Sequence, residues 1–437
     1  MGITDTRGQV RHLLSRAGFG QRPAELNEYA ALGFEGAVDR LLGFGAIDDP
    51  AAAAAEQQGY DLARADGIRQ WWLYRMLNTT RPLQEKLTLF WHGHFATSVQ
   101  KVNNPVWMRN QNELFRRQGT GSFRDLVLAV AKDPAMMRYL DTIQNRKNSP
   151  NENFARELME LFTMGIGNYT ETDVKEATRA FTGWTIREDV YFFNANQHDN
   201  GQKTVLDRTG NLNGEDVVDL VVAHPATGPH LAAKLWAFFA YDNPETAVVE
   251  RLSQVYYSSG YSIEAMLREL FLAPEFRSTR AYHATIKSPV EFVLGTFKLF
   301  GLTTYPQPTP GALRAMGQDL FAPTSVKGWD GGTTWINSTS FLTRCNLGNV
   351  LVTSRSNGQP LIDPIAMAER ASINVKSADE VVRFFVDLML DGDLSAGARS
   401  ELARYVGDLG RADRRTLDTK VRGLVHLIMA TPVYQFA

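Results

Sequence analysis

One cysteine, Cys345, stands in 437 residues, so no intramolecular disulfide can form and the fold must rest on its core. Long apolar runs are missing as well. Nothing approaches the roughly 18 consecutive apolar residues of a membrane span, and the runs near Leu126–Ala131 and Leu220–Ala223 are cut short by polar residues. Neither sign of charge dominates: 46 Lys and Arg against 48 Asp and Glu leave a formal net charge of −2, which excludes binding of nucleic acid or anionic membrane by bulk charge. Proportions of 44% hydrophobic and 22% charged residues exclude disorder, collagen and coiled coil. The N-terminus, Met1 to Gly8, carries no apolar leader segment. Read literally it is cytoplasmic; a periplasmic or secreted chain whose leader had been removed would begin the same way.

What is present is a string of helix signals. Asp61–Leu77 carries Ile68, Trp71, Trp72, Tyr74 and Met76 at mostly helical spacings, and Pro82 opens a helix whose Leu83, Leu87, Phe90 and Trp91 face inward until Gly93 stops it. Further helices are predicted at Pro105–Arg117, Ser122–Lys132, Asn151–Met164, Thr170–Thr182, Ala226–Phe239 and Pro289–Phe300, among others. Ser122 with Asp125 and Thr170 with Asp173 have the spacing of reciprocal N-terminal caps. Asn200-Gly201, between Tyr191-Phe192-Phe193-Asn194 and Lys203-Thr204-Val205-Leu206, predicts one small β-hairpin near residues 190–206. Glycines and two tryptophans over Thr324–Asn337 predict a packed loop. The fold class is therefore mainly α, a large multi-helix assembly: an N-terminal region, 1–213, holding the polar site and hairpin, and a C-terminal supporting region, 214–437, the two being separate or one continuous domain.

Chemistry-bearing residues concentrate between His92 and Lys203. His92 and His94, one residue apart in Phe90-Trp91-His92-Gly93-His94-Phe95, can supply two ligands to one ion; the plainer reading is that they cap a helix end. In Asn151–Phe162, helical geometry places Asn153, Glu157 and Glu160 on one stripe, where paired carboxylates can ligate a metal or divide acid and base roles; the plainer reading is a solvated face with an Arg156–Glu160 pair. His198-Asp199 and Lys203 flank the expected turn, whose local hydrogen bonding explains Asp199 and Asn200 but not His198 or Lys203. Thr182-Gly183-Trp184 and Gly328-Trp329 pair a ring with a glycine, which fits either core packing or a sugar-stacking platform. There is no His-Glu-x-x-His, Walker loop, nucleophile elbow, EF-hand loop, dinucleotide fingerprint or flavin signature. Cys345 has no nearby His in sequence and reads as an inert thiol.

Two readings of function follow from these residues. One is a metal-dependent hydrolase of an extracellular or envelope polymer: His92, His94, Glu157 and His198 hold a divalent Zn, Mn or Fe, Asn153 and Asp199 orient those ligands, Glu160 is the general base, and Lys203 or Arg156 stabilises a developing anion. The other is a metal-free glycan-active enzyme, with Glu157 and Glu160 as acid and base and Trp184 and Trp329 stacking on sugar rings.

Ordered strings along the chain resemble a bacterial family catalogued as domain of unknown function 1800. They include His12-Leu13-Leu14-Ser15-Arg16-Ala17-Gly18-Phe19-Gly20, the Phe90–Phe95 string, Lys132-Asp133-Pro134-Ala135-Met136, Pro150–Leu158, Gly167-Asn168-Tyr169-Thr170-Glu171, Thr182-Gly183-Trp184, His198-Asp199, Lys287-Ser288-Pro289-Val290-Glu291 and Val326-Lys327-Gly328-Trp329. The resemblance runs from His12 to about Asn346 and implies a large, mostly helical bacterial protein with no activity to carry over. It also implies a sulfatase-like protein encoded nearby and, in many members, export behind a twin-arginine leader, which this sequence does not begin with. A third reading then follows, in which the chain is a non-enzymatic partner or assembly factor for that neighbour.

Overall fold

The computed structural model describes residues 5–356 and 358–437. Among them the chain runs as a succession of short helices from Thr6 to Met429, and the sheets are three antiparallel pairs of strands, so the fold is mainly α with small hairpins. No helix among the described residues is long and apolar enough to cross a membrane. The chain forms two compact units. The first joins the described part of Met1–Ala37 to Arg277–Gln318 and Gly331–Ala437; the second joins Val38–Phe276 to Asp319–Asp330. Asn213, the expected regional boundary, lies inside the second unit, where its side chain caps a helix by accepting from the Glu215 and Asp216 N–H groups.

In the first unit the helix Thr6–Ala17 buries Val10, Leu13, Leu14 and Ala17. Gly20, at φ +69°, then crosses the helix Pro289–Leu299 at Gly295, so closely that a Cβ on Gly20 would lie 3.1 Å from the Gly295 Cα. Ser288 and Glu291 cap that helix reciprocally. Arg344, 1% exposed, donates to the Lys287 carbonyl and to Gln435 and lies over the Phe292 ring.

The second unit is organised by a buried carboxylate. Glu85, on the helix Pro82–His94, accepts two bonds from Arg116 at 2.7 and 2.9 Å and one from the Trp72 indole at 2.9 Å, with Arg75 at 3.4 Å. Those partners come from the helices Ala65–Asn78 and Pro105–Gln118, so one side chain ties three helices together. Beyond it Trp91 stacks on Phe95 and Phe123, and Phe95 on Phe115, each such pair adding about 0.5–1.5 kcal/mol to the burial of the rings. Gly93 does not stop its helix, which continues to His94. The 319–330 loop comes close to it through Gly328 instead: a Cβ on Gly328, at φ +86°, would lie 2.3 Å from the Gly93 carbonyl. That close approach lays Phe321 and Trp329 against His92.

The expected single hairpin is two. Strand β1 (Trp184–Arg187) pairs with β2 (Val190–Phe193), and β3 (Lys203–Val205) with β4 (Arg208–Gly210). Their turns are Glu188-Asp189 and Leu206-Asp207, all four residues at positive φ, the geometry that a two-residue hairpin turn demands. Asn200-Gly201 turns for another reason. The Gly201 N–H donates to Asp199, and a side chain at 201 would collide with the Arg179 guanidinium that pairs with that carboxylate. Of the two expected caps, Thr170 and Asp173 cap reciprocally, whereas Ser122 makes no side-chain cap bond.

Candidate functional site

Because the helix persists to His94, the two histidines of the aromatic string diverge: residues two apart on a helix do not face each other. His92 is 1% exposed and accepts the Phe321 N–H at Nε2, so its proton sits on Nδ1; burial pushes its pKa down to about 3. Ringed by Trp72, Phe321 and Trp329, it is a neutral packing group with no lone pair left over. His94 turns to the opposite side and lines a cleft of about 720 Å³.

The facing wall of that cleft is built by an irregularity in the predicted Asn151–Met164 helix. The chain is α-helical over Asn153–Glu157 and then opens into a π-turn over Leu158–Thr163, where the Met164 and Gly165 N–H groups both reach back to the Met159 carbonyl. The shift turns the Leu161 and Phe162 carbonyls toward side chains. Phe162 O accepts from His94 Nε2 at 3.0 Å, while Leu161 O accepts from Lys234 Nζ at 2.9 Å and from His230 Nε2 at 3.3 Å. His230 and Lys234 stand one turn apart on the helix Thr227–Phe239.

These bonds fix the protonation of each group. With Nε2–H committed to Phe162, His94 offers its Nδ1 lone pair to Lys234 at 3.3 Å; burial first, then the charge of Lys234, holds its pKa well below the usual value. His230 commits its Nε2–H to Leu161, and among the described residues nothing bonds its Nδ1. That nitrogen faces Gly165, where a Cβ would lie 2.9 Å from it. Burial, then Lys234, pushes the His230 pKa down to about 4, so the ring is a neutral base at physiological pH. Lys234 is lowered to about 8 by burial and carries its proton below that pH. Glu160 lines the same cleft and accepts the Tyr169 hydroxyl at 2.8 Å, and Lys327 and the exposed Ile166 line it as well. Glu157 lies close enough to Glu160 for burial and then that like charge to raise its pKa, against the opposing pull of Arg156 and Lys327.

The remaining residues singled out in the sequence lie elsewhere. Arg156 forks onto Glu171 and Glu152 rather than Glu160, and Asn153 hydrogen-bonds Asp141. His198 donates from Nδ1 to the Thr182 carbonyl at 2.8 Å, and Asp199 accepts two bonds from Arg179 that, ahead of other causes, draw its pKa down to about 2. Lys203, 1% exposed, donates to the Gly201 carbonyl and Asn211. Trp184, 2% exposed, packs edge-on to Phe181 and Tyr191, and Trp329 is half-buried against His92. The structure thus gathers His94 and Glu160, with Glu157 beside them, and sets His198, Asp199, Lys203 and Trp184 in the hairpin region. Among the described residues no three His, Cys, Asp or Glu side chains are grouped so as to hold a metal ion. His230, Lys234 and Gly165 were not singled out by the sequence. The one available signal was the His230-x-x-x-Lys234 spacing in an otherwise apolar helix.

A family model described as protein of unknown function (DUF1800) matches residues 12–436, nearly the whole chain. No curated protein and no solved structure matches it.

Proposed function

We propose, from the premise that this chain belongs to the DUF1800 family, that it is a hydrolytic acid–base enzyme working in the cleft lined by His94, Glu160, His230, Lys234 and Lys327. The observation that carries the reading is His230: a neutral imidazole, oriented through Nε2–H on a π-turn carbonyl, with Nδ1 open at a glycine. In this reading Nδ1 takes a proton from water as the water attacks the substrate. The adjacent Lys234 charge disfavours the resulting imidazolium and so speeds return of the proton. Burial and then the Glu160 charge raise the pKa of Glu157, so beside Glu160 in the cleft stands a carboxyl that keeps its proton to higher pH and is suited to protonating the leaving group. His94 is a positioning residue, fixing Lys234 through its Nδ1.

The scheme draws on no metal, since it uses the open His230 Nδ1 as a base and not as a ligand. The test is turnover of a panel of chromogenic carboxylic, phosphate and sulfate esters and glycosides in the presence of chelator. The expected result is hydrolysis of at least one class, indifferent to chelation and lowered about tenfold or more by Glu160→Gln. Activity lost on chelation would restore the metal-dependent hydrolase; an unaffected Glu160→Gln, or no turnover of any class, would overturn the proposal, the latter in favour of a non-enzymatic partner role.

A further inference from the structure

Among the described residues no carboxylate is bonded to Lys234. Arg116 is bound by Glu85, Arg179 by Asp199 and Arg251 by Glu275, whereas the neighbours of the Lys234 ammonium are a carbonyl and a neutral imidazole. Of its three N–H donors two are committed, to Leu161 O and His94 Nδ1, leaving one for the cleft. Its depressed pKa has burial as its cause and no carboxylate offsetting it, so its charge is desolvated and uncompensated. At the rim Lys327, exposed, adds a second cation, and the acid in the lining, Glu160, already accepts the Tyr169 hydroxyl. A half-buried ammonium with an open donor and no counter-ion is completed by an anion with oxygen acceptors.

We infer that the cleft binds substrates through an oxyanion group, a carboxylate, phosphate or sulfate, held by Lys234 with Lys327 at the rim. The inference deepens the acid–base reading, placing the charged end of the substrate on Lys234 and the scissile bond toward His230. The charged and titratable groups facing Lys234 are His94 from the Pro82–His94 helix, Glu160 from the π-turn, His230 from its own helix and Lys327 from the 319–330 loop. The two histidines are neutral at pH 7, so binding follows the Lys234 proton and weakens as pH rises from 7 to 9.

The probes are inorganic phosphate, sulfate and acetate, titrated at constant ionic strength against the full chain and followed by side-chain NMR or calorimetry. Saturable binding of at least one is expected, weakened roughly tenfold by Lys234→Met and about threefold by Lys327→Gln, an exposed position whose change leaves folding intact, and unchanged by His230→Gln. Which probe binds tightest identifies the oxyanion. No saturable binding of any of the three, or equal affinity in wild type and both lysine variants, overturns the inference. Failure here is separable from failure of the acid–base reading: turnover without oxyanion binding refutes only this step, and oxyanion binding without turnover refutes only that one.

Discussion

His230→Gln is expected to slow hydrolysis by about 10²–10⁴-fold, the usual worth of a positioned general base, while leaving the melting temperature nearly unchanged. Glutamine keeps a donor for the Leu161 carbonyl but offers nothing basic at the Nδ1 position. Gly165→Ala should come close to the same loss by a different route. Its Cβ would stand 2.9 Å from Nδ1, occupying the space a water needs, at a φ of +80° that costs a non-glycine residue about 1–2 kcal/mol. The two changes act on one group, so the double variant should be little slower than either alone. Steady-state rates for the three variants on the best substrate of the panel decide it; a fully active Gly165→Ala would mean that Nδ1 is not where the chemistry happens.

The second large effect is on stability. Glu85→Ala should destabilise the protein by about 3–5 kcal/mol, because it strips the carboxylate from two buried guanidinium groups and an indole at once. Against a typical total of about 5–15 kcal/mol this approaches loss of the fold, and in a thermal melt it should appear as a fall of about 6–15 °C. The charge state matters as well. Burial alone would raise the Glu85 pKa, but Arg116 and then Arg75 outweigh it and hold the group below the ordinary carboxylate value. With the folded pKa depressed, its stabilisation is complete above the unfolded carboxylate range and is lost as pH falls toward the folded value, so the gap between variant and wild type should narrow in acid. A Glu85→Ala protein melting within a degree of wild type at pH 7 would contradict the account of how the Pro82–His94 helix, and hence His94, is held.

How much of this was legible beforehand depended on whether the causes were local. The reciprocal cap at Thr170 and the run of amphipathic helices are written in residues three or four apart, and both sequence and structure carry them, whereas Ser122, with the same spacing, makes no cap bond. The family resemblance was legible too, since it rests on ordered strings and the family match covers residues 12–436. The hairpins were not, because Asn200-Gly201 is the stronger turn dipeptide but serves the Asp199–Arg179 pair, whereas the turns at Glu188 and Leu206 use residues that rarely adopt positive φ. The aromatic string pointed to His94 but could not separate it from His92, for that required knowing that Gly93 is inside the helix and packs on Gly328. His230 and Lys234 were hidden for a subtler reason. Their partners are backbone carbonyls released by a π-turn, and the sequence Leu158–Thr163 carries no feature that distinguishes a π-turn from ordinary helix.

The central claim is that His230 is a neutral imidazole with an open Nδ1, and the most direct measurement of it needs no substrate: long-range ¹H–¹⁵N correlation of the histidine side chains at pH 6. The account predicts His230 and His94 as neutral Nε2–H tautomers, with the proton of neutral His92 on Nδ1 instead. A His230 found as imidazolium, or protonated on Nδ1, at that pH would contradict it.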